Sequence, residues 1–323
     1  MKYHTVNGAK YSLIGVAVDP FVAQELIPEL MNKSLRFALE LGVNVFYLDL
    51  SRLPSAFSRH PYHEIVSKLL NVFEQVHNLQ INLLISAPRA YLRNSGKYDG
   101  LDSVIARFYD SKPYDAQVSV LVSNNWTSMD ARPKEPLDNS SRGPIMATST
   151  QSTKQWEDLD NAVGHPIVCN FVEYSLLNQR IEDELVPFSL ANNRVLVARS
   201  PLAGGILADH GIPPKNPADF RRYSRHFSSD SHERMQPLLM SLAKIAKLHS
   251  VGVAEIALAW VMARKNVIAL PRAKSFDHVR VNIHAADLQL TSTQLDELNY
   301  FCTLYRSSQR FRITRSVRTS LGF

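Results

Sequence analysis

The feature that most constrains this chain is an alternation along its length. Apolar segments of strand length recur, each followed by a stretch whose apolar residues fall at helical spacing. Strands separated by helices cannot pair through tight hairpins, so the sheet they build is parallel. The strand-length segments are residues 12–15, 43–49, 81–87, 116–123, 144–149, 167–171, 194–199 and 267–270. Eight such units with no interior linker fit one (β/α)8 TIM barrel better than an open, doubly wound sheet. At 323 residues the chain exceeds the roughly 250 typical of that barrel. Part of the excess lies ahead of the first strand, where residues 3–13 read as a hairpin turning at Asn7-Gly8, a dipeptide preferred in type I′ turns.

Helical periodicity predicts the connecting elements. Residues 23–41 form the first, closed by Gly42 as a C-cap. Residues 62–76, 101–109, 153–163, 181–191, 232–249, 253–264 and 277–285 follow, with a long polar segment over 208–231. The stretch 126–143 should hold a helix too, but it carries Pro133 and Pro136. Proline inside a helix costs about 3 kcal/mol, so this helix is expected to be short or absent. A last helix begins at Thr291, where Thr291-Ser292-Thr293-Gln294 has the capping-box pattern.

Composition narrows the class. A hydrophobic share of 45% and a charged share of 20% are ordinary for a soluble globular protein. No apolar run approaches the roughly 18 residues of a membrane span, and the polar start predicts no secretory leader. Cys169 and Cys302 are too few for a disulfide framework or a zinc site, and a reducing cytoplasm is expected. His60 and His63 flank Pro61-Tyr62 without a third ligand at useful spacing, so no metal site is expected. The net charge of +6 owes much to the end of the chain, where Arg306, Arg310, Arg312, Arg315 and Arg318 occur without an acid. The domain reading is therefore one barrel over 1–301 and a basic tail over 302–323, which argues against a nucleic-acid surface.

Three groups of motifs carry a likeness to a known family. Residues 1–15 with Ala38-Leu39-Glu40-Leu41-Gly42-Val43-Asn44 supply an opening hairpin, a first strand and an entry to the second. Glu173-Tyr174-Ser175-Leu176-Leu177 and Ser200-Pro201-Leu202-Ala203-Gly204-Gly205-Ile206-Leu207 form the second group. Ala257-Leu258-Ala259-Trp260, Leu270-Pro271 and Asn282 form the third. In this order and spacing the chain resembles the aldo-keto reductases. That resemblance implies a barrel with NADP(H) across its strand ends and hydride transfer to a carbonyl. A tyrosine acid, supported by lysine, aspartate and histidine, would stabilise developing alkoxide charge.

The four catalytic positions hold other residues. The aspartate that follows the family's second-strand phrase falls on Tyr47. The tyrosine falls on Arg52 counted forward from there, or on Ser58 counted back from Glu64. The lysine falls on Ala87 after Ser86, and the histidine on Val122 or Ser123. Asp49 and Arg89 each lie two residues beyond the family positions, which keeps the same strand face. They would sit about 7 Å nearer the mouth. A relocated site would draw on Asp49, Arg89, Asn124 and Tyr62, with Arg199 ending the seventh strand where an anion would meet it. The plainer alternatives are an Asp49–Arg89 ion pair, an Arg199 salt bridge to a neighbouring strand end, and Tyr47 as filling of the barrel interior.

The cofactor side keeps more of the pattern. Ser200, Leu202 and Gly204 match the pyrophosphate loop that the resemblance implies, and Ser149 the serine near the carboxamide. Arg272 and Lys274 match 2′-phosphate contacts, and Asn282 an adenine-side asparagine. Val281, Phe171 and Asp209-His210 depart from the family's glutamate, glutamine and Gly-Lys pair, so a scaffold without nucleotide stays open. Two functions are carried forward. One is an enzyme with a relocated acid or non-redox chemistry, acting on a small polar or anionic molecule. The other is a non-catalytic ligand-binding or regulatory homologue.

Overall fold

The computed structural model describes residues 1–18, 28–49, 72–73, 80–87, 116–122, 145–208, 226, 228–273 and 275–320. Strands β1 (Tyr3–Val6) and β2 (Ala9–Ser12) form the opening hairpin, with Asn7 and Gly8 both at positive φ in the turn. Eight parallel strands follow: β3 (Gly15–Ala17), β4 (Val45–Asp49), β5 (Ile81–Ala87), β6 (Ala116–Val122), β7 (Ile145–Thr148), β8 (Cys169–Glu173), β9 (Val195–Arg199) and β10 (Val267–Leu270). They pair in sequence order, and a parallel bridge from Ile14 to Ala269 joins the last strand to the first. There the Ala269 N–H donates to the Leu13 carbonyl at 2.9 Å, so the sheet closes on itself.

Successive residues alternate between two apolar clusters, as the period of a strand requires. Val45 and Tyr47, Leu84, Ala147, Cys169 and Phe171, Val195 and Val197, and Ile268 and Leu270 share the inner one. Phe46 and Leu48, Leu83 and Ile85, Val172, Leu196 and Ala198 face the outer one, where the helices pack. Gly15 is needed for closure: a Cβ there would meet Val45 Cγ1 at 3.0 Å and Leu270 Cδ1 at 3.1 Å.

The hairpin stoppers the N-terminal end of the barrel. Val6, Ala9 and Tyr11 join the inner cluster, and two asparagines latch the strand that carries them. Asn44 and Asn82 each donate a side-chain N–H to the Lys10 carbonyl at 2.8 Å, while Asn44 Oδ1 accepts from the Ser12 N–H at 2.7 Å. His4 Nε2 donates to the Val267 carbonyl at 3.1 Å, and burial holds its pKa below the ordinary histidine value. A histidine kept neutral in the fold adds stability that is present above its unfolded pKa of about 6.5 and lost as pH falls towards the lowered value. Wild type should therefore lose more of its melting temperature between pH 7 and pH 5 than a His4→Gln variant. Parallel pH profiles for the two would remove this role.

The helices are α1 (Pro28–Glu40), α2 (Thr153–Val163), α3 (Leu185–Ala191), α4 (Ser229–His249), α5 (Val253–Met262), α6 (Phe276–His284) and α7 (Ser292–Ser320). Gly42 closes α1 at φ 83°, and Tyr3 Oη, which donates to the Gly42 carbonyl, leaves no room for a Cβ. The capping box at the start of α7 is formed: Thr291 Oγ1 accepts from the Gln294 N–H, and Gln294 Oε1 accepts from the Thr291 N–H. Helix α7 runs past residue 301 without a break, with Cys302 and Tyr305 buried against the body.

Several boundaries move from expectation, each for a physical reason. Ser12 belongs to the hairpin because its hydroxyl is engaged with Ile14 and Asn44, so the barrel strand starts at Gly15. β8 starts at Cys169 rather than 167, because the Ile167 N–H goes to Asp160 and its carbonyl to Trp156 Nε1. α3 begins at Leu185 rather than 181, which puts Pro187 in the first turn, where its missing N–H is tolerated. α4 begins three residues early, at the N-cap Ser228. Apart from residues 72–73, which are helical, the expected helices over 62–76, 101–109 and 126–143 lie outside the described residues, as does most of 208–231.

Candidate active site

The C-terminal ends of β7 to β10 form one arc of the barrel mouth, and each is followed by a braced segment. After β7, the Thr150 N–H donates to Asn170 Oδ1 at 3.0 Å, and Asn170 Nδ2 donates back to Thr150 Oγ1 at 3.1 Å. Both residues are buried. This exchange fixes the segment that presents Ser149, whose hydroxyl donates to the Phe171 carbonyl at 2.9 Å.

After β9 the chain enters a strained turn. Ser200 and Ala203 hold φ 53° and 48°, and Gly204 and Gly205 hold φ 73° and 100°. Left-handed backbone at a non-glycine residue costs of order 1–3 kcal/mol and persists only where the surroundings over-determine it. Here the turn is pinned by Ala203 N–H to Ser200 O at 2.8 Å and Gly205 N–H to Leu202 O at 2.9 Å. Wholly buried Ile206 and Leu207 anchor its far end. Leu202 at φ −100°, ψ 16° is followed by left-handed Ala203, so the chain reverses sharply at the end of β9.

After β10, Arg272 is exposed between buried Pro271 and Ala273. Ser275 caps the following α6, its hydroxyl accepting from the His278 N–H, and Asn282 lies buried on that helix. Ser149, Ser200, Leu202, Gly204 and Arg272 therefore follow the ends of β7, β9 and β10, and Asn282 lies on the helix after β10. Lys274 lies outside the described residues.

Arg199 ends β9 in register with Glu173 of β8 and Leu270 of β10. Two residues before Glu173, Phe171 is wholly buried and packs against Tyr47 in a tilted arrangement with ring centroids 5.4 Å apart. The barrel is filled to that aromatic layer, and solvent begins at the next one, where Arg199 is part-exposed and Glu173 exposed. The expected salt bridge from Arg199 to a neighbouring strand end is not formed: Arg199 makes no ion pair among the described residues. Tyr47 fills the interior, as the plainer reading held.

The other arc is mostly beyond description. Asp49 closes β4 beside Ser86 of β5, so its backbone stands at the mouth. Its side chain, with Arg89, Asn124 and Tyr62, lies outside the described residues.

Thr150, Asn170 and Glu173 escaped the sequence reading as site residues. The first two are uncharged and legible only once β7 and β8 are adjacent, and Glu173 read as part of a motif rather than as a mouth residue. Tyr174, the next residue, faces outward and donates to Glu182, which also takes Arg264 at 3.1 Å. Burial and the Glu182 carboxylate hold the Tyr174 pKa above the ordinary phenol range, so it stays a donor in a brace. Burial also pushes Cys302 up to about 12 and Cys169 higher still, leaving two neutral thiols. Among the described residues no group of three or more His, Cys, Asp or Glu could hold a metal. No single helix there is long and apolar enough to cross a membrane.

In a closed (β/α)8 barrel the functional residues gather at the C-terminal ends of the strands, where these segments lie. Residues 144–301 match the model of the aldo/keto reductase family. A Mycobacterium tuberculosis protein named only as an oxidoreductase is 33% identical over 191 residues, 58% of this chain and 58% of its own length. The chain thus matches under two thirds of that relative. An aldo-keto reductase of Strobilurus tenacellus is 30% identical over 137 residues, 41% of each chain. Among solved structures, the glycerol dehydrogenase of Gluconobacter oxydans has a TM-score of 0.71 at 14% identity, covering 93% of this chain and 94% of its own. An aldo/keto reductase of Klebsiella pneumoniae in complex with NADP and acetate has a TM-score of 0.63 at 16% identity, covering 93% and 95%. These likenesses extend the barrel fold over nearly the whole chain.

Proposed function

We propose that this chain is an enzyme of the aldo/keto reductase scaffold that binds NADP(H) along the β7–β10 arc and acts on a small polar or anionic molecule. The observation that carries this reading is the strained turn from Ser200 to Gly205. A conformation this costly, still braced by its own hydrogen bonds and by buried Ile206 and Leu207, is characteristic of a functional turn. Ser149 would meet the carboxamide, the turn the pyrophosphate, Arg272 and Lys274 the 2′-phosphate, and Asn282 the adenine side. Bound there, the cofactor supplies a hydride. The chain's own part is to orient it, to exclude water above the Tyr47–Phe171 layer, and to hold the substrate at Arg199 and the residues of the facing arc, Asp49, Arg89, Asn124 and Tyr62. Acid catalysis is assigned to that facing arc, since Tyr47 and Ala87 leave the family's usual positions without carboxylate or lysine. A cytoplasmic setting suits the two free, buried thiols.

The second reading, a non-catalytic ligand-binding homologue, is favoured by one observation, the Tyr47–Phe171 stack at the base of the mouth. Calorimetry separates the cofactor question from it. NADPH should bind more tightly than NADH, and Arg272→Ala should reduce that preference by about 1.5–3 kcal/mol, roughly 10- to 100-fold. Equal affinities for the two nucleotides, unchanged by the substitution, would remove the 2′-phosphate role.

A further inference from the structure

Helix α7 lies antiparallel against α4 over its first half. His249 of α4 meets Gln294, and Lys244 and Ser241 both meet Glu297. Among the described residues the furthest such contact along α7 is Tyr305 with His226, and His226 already precedes the first residue of α4. Residues 306–320 therefore carry the helix on past the start of α4. In the first half Leu298, Cys302 and Tyr305 are buried, whereas Asp296 is exposed, Tyr300 is 65% exposed and Leu304 is 47% exposed. Steps of three and four residues continue that solvent face through positions 307, 311, 314 and 318, so Phe311 and Arg318 belong to the same stripe. Charge is segregated along it. Asp296 and Glu297 lie in the first half, and Arg306, Arg310, Arg312, Arg315 and Arg318 follow with no acid.

We propose that this stripe pairs with its own counterpart on a second copy of the chain, the two α7 helices lying antiparallel about a two-fold axis. Large apolar groups aligned on one solvent face mark an interaction surface, where scattered ones would not. The charges then choose partner and direction. Parallel helices would set acids against acids and arginines against arginines. Antiparallel helices set the acidic half of each against the basic half of the other, and unlike charges beside a helical seam fix orientation in this way. The register that places Tyr300 opposite Phe311 of the second copy brings Leu304 opposite Ser307, and Asp296 level with Arg315. A two-fold interface repeats each pairing, so every matched pair counts twice. From Asp296 to Arg318 the seam is about 33 Å long at 1.5 Å per residue. The half of α7 that runs beyond α4 in one copy would lie along the half that rests on α4 in the other. An anionic membrane is the poorer occupant, because a helix lying on one needs its basic residues gathered on one polar face. Here Arg310, Arg312 and Arg318 are spread round the axis by their spacing.

Sedimentation equilibrium of the full chain, over a range of concentrations, tests this. Wild type should be a reversible dimer. Tyr300→Asp should raise its dissociation constant at least about 30-fold, and Tyr300→Phe should leave it within a few-fold. Both changes are at an exposed position, so the melting temperature at dilutions where wild type is monomeric should stay close to wild type. Charge reversal checks the direction of pairing. Asp296→Arg alone, and Arg315→Glu with Arg318→Glu, should each give monomers, because like charges then meet at both ends of the seam. Mixed together, the two variants should form a heterodimer, because unlike charges are restored at both ends. A wild type that stays monomeric at tens of micromolar overturns the proposal, and so does a dimer indifferent to Tyr300→Asp. A dimer that survives both charge reversals, or variants that fail to rescue one another, overturns the antiparallel register. Wild-type monomer that co-sediments with phosphatidylserine vesicles, and loses this with Arg315→Glu and Arg318→Glu, gives the stripe to a membrane surface instead.

Discussion

An Asp160→Ala variant is expected to lose about 3–5 kcal/mol of stability, read as a lower urea midpoint at constant slope. Asp160 does two jobs at the join between α2 and β8. Its Oδ2 meets Arg194 NH2 at 2.7 Å, and its Oδ1 accepts from the Ile167 N–H at 2.7 Å. The Arg194 side chain is 9% exposed and lies over the rings of Trp156 and Phe188 at about 5 Å. Its Nε and NH1 have no hydrogen-bond partner, so the carboxylate is its principal compensation. Removing the acid alone leaves a buried cation unpaired, which is the costly case. Asp160→Asn separates the two jobs: it keeps an acceptor for Ile167 and loses the charge. Replacing both residues with leucine should recover the part of the loss that comes from the unpaired charge, because a buried pair is often no better than matched apolar groups, but not the part that comes from the Ile167 N–H. A single alanine variant within about 0.5 kcal/mol of wild type would show that the pair is solvated in solution.

The second large effect concerns rate. Reduction of a generic substrate such as nitrobenzaldehyde by NADPH should run at least about 10²-fold, and up to about 10⁴-fold, slower than for ordinary aldo/keto reductases. General acid help of that size needs a donor positioned at the developing alkoxide. The residue at the family's aspartate position is Tyr47, and its ring is packed on Phe171 inside the barrel rather than offered at the mouth. Stopped or steady-state oxidation of NADPH measures this directly. Turnover at ordinary family rates would show that a conventional acid is in place and that its assignment to Asp49, Arg89, Asn124 and Tyr62 is unnecessary.

The fold was legible where local chemistry decides it. Ile81–Ala87 and Val267–Leu270 were readable to the residue because continuous β-branched and leucine-rich runs have no other use in a chain of this pattern. The Thr291 capping box and the Gly42 cap were equally readable, since each depends on side chains within four positions. The start of β8 was not readable, because Ile167 is withdrawn from the strand by Asp160 and Trp156, partners whose approach exists only after folding. For the site, the family resemblance pointed to Ser149, Ser200, Gly204 and Arg272, which follow β7, β9 and β10 in the chain. The Thr150–Asn170 brace and the Glu173–Arg199 pairing depend on which strand neighbours which at what register, and no single segment contains that information.

The closure of the barrel has a consequence for how the chain is made. His4 is held by the carbonyl of Val267, 263 positions along the chain, and Ile14 waits for Ala269. During synthesis from the N-terminus, the hairpin and β3 emerge first, yet one edge of β3 has no partner until β10 leaves the ribosome. Through almost the whole of translation the nascent sheet carries an open edge. Such edges are the surfaces on which chains pair wrongly with one another. The Asn44 and Asn82 latch on Lys10 arises much earlier, from strands β4 and β5. It gives the newborn hairpin a place to dock long before its final neighbour exists, so that biosynthesis proceeds from a guarded floor upward.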